Sequence, residues 1–394
     1  MTTVEARSLP MTRTTPFDPP AELAQLPPIS RLLYPDGHVG WLVTGHALAK
    51  EVLADKRFSS RFELRRFPIS RGGEPFKPQG AQPGFFIGMD APEHTRLRKL
   101  LTGQFTVRRM RQLEPRIEEI TQARIEAMRA HGSPVDLVQE FALPIPSLVI
   151  CELLGVDYAD RDEFQTQTAR LLDLELKQSE TLAARDAVNE FMLDLVAQKR
   201  RKPADDIMSG LVQHDDLTDD ELAGMGFLLL VAGHETTANM LGLGTMALLH
   251  DRTQWDALRA DPSLVENAVE ELLRYLTIVH FGTVRTAIAD VPLGDVVVRA
   301  GDAVSISLPA ANRDPSRFEE PDKLDLHRPT QGHLTFGHGI HQCLGQQLAR
   351  IEMRIGYCAL IDAFPNLRLA VEESAIPMRT RMAIYGVHRL PVEW

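Results

Sequence analysis

The spacing of apolar residues predicts a mainly α-helical protein with a small β region. Runs with helical periodicity lie at residues 46–54, 92–101, in several segments up to about 202, at 262–275 and at 346–363. Shorter runs typical of strands lie at residues 39–44, 295–298 and 303–308. Residues 61–89 are rich in glycine and proline and have no period. We therefore expect a long irregular loop there, and such loops often carry function.

One predicted helix is unusually long. A capping box at residues 218–221 predicts that it begins there, and its pattern runs to about His250. The apolar run at residues 225–249 is long enough to cross a membrane. However, His234 and Glu235 fall in its middle, where ionisable groups are costly in lipid. We therefore expect a helix buried inside a large protein and no association with a membrane.

Composition narrows the class of protein. The 394 residues are 44% hydrophobic and 25% charged, and no linker or repeat divides them, so we expect one domain over residues 1–394. Residues 1–20 are polar and proline-rich and lack the apolar segment of a signal peptide, so a flexible tail is expected. Three cysteines suit a reducing compartment and favour a cytoplasmic protein. The net charge of −11 argues against a nucleic-acid binder.

The most informative stretch is FGHGIHQCLG at residues 336–345, just before the helical pattern at 346–363. Its glycines carry no Cβ, so the backbone can turn tightly and approach a flat partner closely. Cys343 lies near the start of the helix, where the helix dipole and free N–H groups are expected to lower the thiol pKa. A thiolate held in a glycine loop against a planar partner indicates an axial ligand of a haem iron.

Two other interpretations of Cys343 stay open on the residues alone. A lone cysteine near a helix start is usually a small buried hydrophobe. A zinc site is also compatible, because His333, His338 and His341 lie at ligand-like spacings from the cysteine. The remaining two cysteines, which lie in apolar helical stretches and are expected to pack in the core, are Cys151 and Cys358.

The same stretch resembles the haem-binding loop of the cytochromes P-450, the haem-thiolate monooxygenases. The matching positions are Phe336, Gly337, Gly339, His341, Cys343 and Gly345. The resemblance implies that Cys343 binds the iron of haem b (iron protoporphyrin IX) and that the loop residues around it bind the haem. It also implies the fold of that family, a single helix-rich domain with a small β region. Further motifs in the same order extend the resemblance over about residues 90–348. Their sequences are most like those of bacterial members of the family, in particular actinobacterial ones.

The middle of the long helix carries the segment AGHETT at residues 232–237. A glycine in mid-helix costs roughly 1 kcal/mol relative to alanine, so Gly233 is expected to thin the helix where a ligand, the haem included, approaches. By resemblance, Thr236 is the hydroxyl and Glu235 the acid that deliver protons during O2 activation. The structural alternative is a threonine bonded to the carbonyl four residues earlier and a glutamate in a salt bridge.

Further motifs of the resemblance concern the haem and its supporting loop. Glu271 and Arg274 lie three residues apart on one helix face, and the family pattern implies that Arg328 joins them to support folding. Haem propionates need cationic or donor partners. The positions that match the propionate-binding residues of the family are His94, Arg98, Arg285 and His341.

The resemblance implies a monooxygenase that uses O2 and two electrons to hydroxylate or epoxidise a small organic molecule. The expected substrate is a bulky, mostly apolar secondary metabolite, such as a polyketide, macrolide or terpenoid, or a xenobiotic. No electron-transfer module is recognisable in the chain, so a ferredoxin and an NAD(P)H-dependent ferredoxin reductase are the implied partners, with the protein as a monomer. The rivals are a peroxygenase, an oxidative coupling enzyme and a non-catalytic haem or small-molecule binder.

Two sets of positions are predicted to make contacts outside the haem site. Substrate contacts are expected from residues 61–89, 171–187, 279–284 and 383–384 and from the long helix near residues 229–233. The arginines of the loop at residues 61–89 would suit a substrate with an anionic end. The cations predicted to form a docking patch for ferredoxin are Arg96, Lys99, Arg108, Arg109, Arg111, Arg350 and Arg354.

Overall fold

A computed structural model of the protein describes residues 6–394 and is mostly helical, as the sequence predicts. The α-helices are α1 (His46–Ala54), α2 (Glu93–Thr102), α3 (Val107–Gln112), α4 (Glu114–His131), α5 (Pro144–Leu154), α6 (Arg161–Leu172), α7 (Gln178–Arg201), α8 (Ile207–Leu211), α9 (Asp219–His250), α10 (Arg252–Ala260), α11 (Val265–Leu276), α12 (Leu308–Ala311) and α13 (Gln346–Ala363).

The strands form three small sheets. They are β1 (Ile29–Leu33), β2 (Val39–Val43), β3 (Phe58–Ser59), β4 (Val135–Asp136), β5 (Thr283–Ala287), β6 (Val291–Leu293), β7 (Val296–Val298), β8 (Ala303–Ile306), β9 (Arg368–Leu369) and β10 (Pro391–Glu393). The largest sheet has the order β1-β2-β8-β5-β3, with β2 and β8 parallel and the other pairs antiparallel. The other two sheets are β4-β10-β9 and β6-β7.

Helix α9 runs through the main hydrophobic core. Its start is fixed by the predicted capping box, in which Thr218 Oγ1 accepts from the Glu221 amide at 3.1 Å and the Glu221 carboxylate accepts from the Thr218 amide at 3.1 Å. Most of its side chains are buried, and it packs against α5, α7 and α13. The buried, nearly all-apolar helix agrees with the prediction, and among residues 6–394 no helix could cross a membrane.

The segment before β1 packs against the domain. The Leu33 amide donates to the Arg7 carbonyl at 2.9 Å, and the side chains of Leu9 and Phe17 are buried. The sequence predicts a flexible tail over residues 1–20, of which residues 1–5 lie outside the described part of the chain. The extent of the domain and the flexibility of the tail stay predictions, but the tail carries buried anchors from Leu9 onward.

Candidate active site

The loop before α13 presents Cys343 on a tightly turned backbone. Gly337 and Gly339 have φ angles of 70° and 73°, in the left-handed region that favours glycine. The Cys343 amide donates to the Phe336 carbonyl at 2.8 Å, which closes the loop. A Cβ at Gly339 would lie 2.5 Å from the Leu53 carbonyl, whereas one at Gly337 or Gly345 would meet nothing within 4 Å. The loop is therefore anchored on one side and open on the other.

The surroundings of the Cys343 thiol shift its pKa in the direction opposite to the one that the sequence predicts. Burial raises its pKa, and hydrogen bonds to the amides of Gly345 and Gln346 and the charges of Arg98 and Arg350 only oppose this rise. The side chain nevertheless has an open surface. The two observations agree if that surface faces the interior of the protein and not bulk water. The direction is opposite to the predicted lowering, because the loss of hydration outweighs the amide hydrogen bonds and cationic charges that favour the thiolate.

The surroundings of the other two cysteines show whether they pack in the core, and those of the histidines near Cys343 test the zinc interpretation. Cys151 is buried, and burial raises its pKa to about 12. Cys358 packs against the same core and is half-buried. Within residues 6–394, no group of three or more His, Cys, Asp or Glu side chains could hold a metal ion. His333 instead lies 2.9 Å from the Glu270 carboxylate. The histidines near Cys343 thus give no zinc site.

Four cationic or donor side chains predicted to bind propionates come together. His94 on α2 and His341 in the cysteine loop have ring centroids 4.2 Å apart. Both nitrogens of His94 and Nε2 of His341 are buried without a hydrogen-bond partner. Arg98, one turn after His94, donates to the Gln342 carbonyl. Arg285 on β5 is buried, and its hydrogen bond goes to the carbonyl of its neighbour Val284 at 2.9 Å.

The electrostatics of these four groups indicate a missing anion. Burial lowers the pKa of Arg285 to about 10, and burial with the charge of Arg285 lowers the pKa of His341 to about 3. Burial also lowers the pKa of His94 and of Arg98. No acidic side chain in residues 6–394 forms an ion pair with Arg98 or Arg285. Buried donors without partners are costly, so the cluster fits the two carboxylates of a haem.

A cavity of about 690 Å³ reaches the donor cluster. Arg285 and His341 line it, together with Asp90 and Ile340, whereas Cys343 and Thr236 do not. This cavity therefore borders the donor cluster and does not reach the Cys343 sulfur.

One turn in the middle of α9 is open although the helix around it is buried. Ala232 is exposed, and Gly233 and Thr236 are half-buried. The hydroxyl of Thr236 donates to the Ala232 carbonyl at 2.9 Å. This turn of α9 therefore has a surface that no neighbouring element covers, whereas most of the helix around it is packed. The sequence places the proposed O2-activating residues on this turn.

Gly233 has a different structural reason from the predicted one. A Cβ at this position would lie 2.7 Å from the side chain of Ile150 on α5. The missing side chain therefore allows α5 and α9 to pack closely. The sequence analysis expected Gly233 to thin the helix for a ligand or for haem. That reason was wrong, because the side chain of Ile150 occupies the space beside Gly233. The exposed residue of this turn is Ala232.

Glu235 makes the salt bridge that the sequence analysis kept as an alternative. Its buried carboxylate lies 3.0 Å from Arg379 Nη2 and accepts from Asn239 Nδ2 at 3.3 Å. Arg379 comes from the C-terminal segment, where its amide donates to the Gly386 carbonyl at 2.8 Å. The contacts of Glu235 and Thr236 are thus structural in this conformation, and their catalytic roles stay predictions.

Glu352 on α13 was missed by the sequence analysis. It is buried at 1% exposure, and neither carboxylate oxygen has a hydrogen-bond partner. Burial raises the pKa of Glu352 to about 8, and the nearby Thr237 hydroxyl acts in the opposite direction. Glutamate in an otherwise helical, amphipathic run gives no sequence signal for such a position, because its burial depends on how α13 packs against α9.

The supporting triad forms as the resemblance implies. Glu271 and Arg274 are fully buried and share two hydrogen bonds of 2.7 and 2.9 Å. Arg328 donates to Glu271 at 3.2 Å. Arg274 also donates to the carbonyls of Asn312 and Pro321. The triad therefore ties α11 to the long connection that leads into the cysteine loop.

The segments predicted to contact substrate lie together. The Gly72 amide donates to the Leu174 carbonyl at 2.9 Å, which joins the loop at 61–89 to the connection between α6 and α7. The Ala383 amide donates to the Leu172 carbonyl at 2.8 Å, and Val279 pairs with Ile384 in an isolated bridge. These contacts bring four distant parts of the sequence around one region of the fold.

Comparison with known proteins identifies this arrangement. The profile of the family described as Cytochrome P450 matches residues 30–263 and 250–381. The chain belongs to the cytochrome P450 family. Cytochrome P450 105C1 of a Streptomyces species is 49% identical over 382 residues, which cover 96% of each chain. Pentalenic acid synthase of Streptomyces avermitilis is 43% identical over 394 residues, covering 98% of this P450 and 97% of the relative.

Solved structures agree with the fold of this P450. The crystal structure of CYP105P1 in complex with filipin I has a TM-score of 0.94 and 41% identity, and 99% of each chain is covered. The family uses a haem iron and O2, and this P450 is accordingly a monooxygenase of the actinobacterial type. The predicted family, fold class and reaction class are thereby confirmed.

Proposed function

We propose that this P450 hydroxylates or epoxidises a bulky, mostly apolar small molecule, such as a polyketide, macrolide, terpenoid or xenobiotic. The observation that carries the proposal is the open turn of α9 at Ala232 and Thr236, in the same fold as a cysteine loop with an open side. The four gathered segments reach α9 through the aromatic contact between Phe85 and Phe227, whose ring centroids are 5.4 Å apart. The names of two compared proteins, pentalenic acid synthase and the complex with filipin I, support secondary metabolites as the class.

The proposed roles of the residues follow from their contacts. Cys343 binds iron as the thiolate, because coordination to a metal removes the thiol proton in spite of the raised pKa. The loop residues that would hold the haem are Gly337 and Gly345, which leave open space beside the loop, and Phe336, whose carbonyl closes it. A thiolate-ligated haem, when bound, supplies the electron-rich iron at which O2 is reduced and its O–O bond cleaved.

The four donors His94, Arg98, Arg285 and His341 would hold the propionates of a bound haem and so orient it.

The polar residues of the open turn hold and move protons in this proposal. The Thr236 hydroxyl, bonded to the Ala232 carbonyl, keeps its lone pairs free to accept a hydrogen bond from a proton donor. Glu235 is the acid of the path and exchanges protons with the interior once its contact with Arg379 loosens.

We further propose that electrons arrive from a ferredoxin reduced by an NAD(P)H-dependent ferredoxin reductase, and that the enzyme acts as a cytoplasmic monomer. The candidates for contacting the ferredoxin include cations of α2 and α3. Among the predicted set, Arg96 pairs with Glu221, Arg350 with Glu270 and Arg354 with Glu114. The cations of the patch that carry no acidic partner within residues 6–394 are Lys99, Arg108, Arg109 and Arg111.

The proposal is tested by turnover under ¹⁸O₂. The purified holoenzyme is combined with a ferredoxin, its reductase and NADPH, and a library of apolar secondary metabolites is screened first by the spin-state shift of the ferric enzyme. We expect one ¹⁸O atom in the product of each turned-over compound. Incorporation of ¹⁸O only when ¹⁸O-labelled hydrogen peroxide replaces ¹⁸O₂ and NADPH would identify a peroxygenase, because that class of enzyme takes its oxygen atom from the peroxide. A coupled product without ¹⁸O would identify an oxidative coupling enzyme instead.

A further inference from the structure

The loop at residues 61–89 contains four arginines, and three of them have partners. Arg61 donates to Glu63 at 2.8 Å in an exposed pair, and Arg66 pairs with Asp36. Arg71 donates to the Thr181 hydroxyl at 2.6 Å and to the Leu171 carbonyl at 3.0 Å. The contacts of these three side chains therefore help to hold the loop in place.

Arg65 differs from the other three. Its Nε is buried without a hydrogen-bond partner, and it forms no ion pair with any acidic side chain of residues 6–394. Burial lowers the pKa of Arg65 to about 9, and the charges of Arg71 and Arg285 add to this effect. The side chain is half-buried. A cation that has lost much of its hydration, has positive neighbours and has no counter-charge is stabilised when a ligand supplies an anion.

Aromatic rings position the guanidinium of Arg65. Its central carbon lies 3.3 Å from the centroid of the Phe62 ring and 4.5 Å from that of Phe67. Contacts with ring faces fix the plane of the guanidinium and leave its N–H edges for an in-plane partner. A carboxylate matches such an edge with two parallel hydrogen bonds.

The rings around Arg65 continue into the regions predicted to contact substrate. Phe67 lies 5.7 Å from Phe281, which belongs to the segment at residues 279–284. Phe62 lies 5.9 Å from Phe85, and Phe85 lies 5.4 Å from Phe227 on α9, by centroid distances. An apolar molecule lying along these rings would bring a terminal anion to Arg65.

We propose that Arg65 is a specificity-determining residue that binds the carboxylate of an apolar substrate, with Phe62 and Phe67 holding its guanidinium. This inference rests on the proposed function, because it assigns the substrate class of the same enzyme. It selects apolar carboxylic acids over their neutral counterparts. The anion comes from the small molecule and not from the haem, whose propionates have the four donors already described.

The test compares carboxylates with their primary amides. Three pairs serve as probes: dodecanoate, biphenyl-4-carboxylate and 1-pyrenebutyrate, each with its amide. Affinity is measured on the holoenzyme by the ferric spin-state shift and, independently, by equilibrium dialysis. We expect at least one carboxylate to bind about 10-fold or more tightly than its amide, as a charge-assisted two-bond contact allows.

Substitutions test whether Arg65 is the source of the preference for carboxylates over amides. Arg65→Gln should reduce it to about 2-fold or less while the affinity for the amide stays within about 2-fold. Arg65→Lys keeps the charge without the fork and should lower the preference several-fold, which keeps the test informative if the glutamine variant folds poorly. Arg61→Gln, at the exposed pair with Glu63, is the matched control and should retain the wild-type preference.

Several outcomes would overturn the inference. The first is that no carboxylate of the panel binds better than its amide, or that none of the probes binds at all. The second is that the preference for the carboxylate survives in Arg65→Gln. Loss of haem from Arg65→Gln would mean that Arg65 serves the propionates instead. The carbon monoxide spectrum of the same wild-type sample separates this failure from failure of the proposed function. A thiolate-type band with no carboxylate preference rejects the role of Arg65 alone.

Discussion

At the residue scale, Glu352 shows how burial in the interior of this P450 changes the pKa of an ionisable group. Its carboxyl is buried without a hydrogen-bond partner, and its pKa is raised to about 8 from a model-peptide value of 4.5. Removing water from the carboxylate disfavours the charged form, so the group is neutral in the folded protein near pH 7.

The raised pKa of Glu352 predicts a pH-dependent stability. Between about pH 4.5 and pH 8 the folded protein keeps a proton that the unfolded chain releases, so the free energy of unfolding falls as pH rises through that window. The slope from this one residue approaches about 1.4 kcal/mol per pH unit at most. Glu352→Gln should therefore gain stability relative to wild type as pH rises from 5 to 8, measured by urea unfolding of the holoenzyme. A constant difference across that range would contradict the burial argument.

Thr236 is the residue whose substitution should separate coupling from binding. Thr236→Ala should retain haem, the carbon monoxide spectrum and the substrate-induced spin shift, because the hydroxyl bonds only to the Ala232 carbonyl at rest. Product per NADPH should fall by a factor of about 2 to 10, with hydrogen peroxide accounting for the difference.

The matched control for Thr236 lies on the same helix. Thr245 is buried and donates to the Leu241 carbonyl at 2.7 Å in the same way, away from the open turn. Thr245→Ala should leave product per NADPH at the wild-type value. If both variants couple normally, another group supplies the proton contact and the assignment of Thr236 is wrong.

At the scale of elements, α11 and the connection before the cysteine loop form one structural unit. The carboxylate of Glu271 accepts from Arg274, Arg328 and the Asp325 amide, so one buried acid joins a helix to a long irregular segment. Asn312 extends this unit to the loop, since its side chain accepts from the Leu334 amide at 2.7 Å and donates to Thr335 at 3.0 Å.

Breaking the triad should be far more damaging than breaking a surface pair. Arg274→Ala leaves Glu271 charged and buried without its fork, and we expect a loss of about 3 kcal/mol or more in the free energy of unfolding. Arg116→Ala removes an exposed arginine that pairs with Glu119 and Glu152 and should cost less than about 1 kcal/mol. Urea unfolding of the two variants measures the contrast; similar losses would refute the supporting role of the triad.

Elements that local signals specify could be predicted from the sequence, and contacts between distant elements could not. The start of α9 follows from the capping box at residues 218–221, and α13 spans the predicted residues 346–363. By contrast, the partner of Glu235 is Arg379, 144 residues away, and no periodicity reveals it. The cysteine loop was recognisable in part because two of its glycines, Gly337 and Gly339, have φ angles that favour glycine. The raised pKa of Cys343 was not predictable, because it depends on packing that no local pattern encodes.

At the scale of the whole molecule, an acidic protein presents a localised group of cations. The net charge is −11, yet Arg108, Arg109 and Arg111 follow one another on α3. Arg111 lines a cavity of about 290 Å³ together with Arg350 and Arg354, which belong to the helix after the cysteine loop. Cations of α3 and of α13 thus meet at this cavity, where Glu114, Glu266 and Glu270 also lie.

The patch predicts salt-dependent reduction by an acidic ferredoxin. Arg108→Glu and Arg111→Glu should slow reduction by ferredoxin at low ionic strength several-fold and leave reduction by dithionite unchanged. Arg201→Glu, an exposed arginine at the end of α7, reverses the same charge outside the patch and should have little effect. Equal ferredoxin rates for all variants across a salt series would argue against the patch.

The central claim is that Cys343 is the thiolate ligand of a haem, and the spectrum of the reduced protein with carbon monoxide tests it most directly. Wild type, Cys151→Ala and Cys358→Ala should all give the strongly red-shifted Soret band of thiolate-ligated haem, because the other two cysteines pack in or against the core. Cys343→Ala should lose that band, since no other cysteine lies in the loop. A Cys343→Ala protein that kept the red-shifted band would contradict the account.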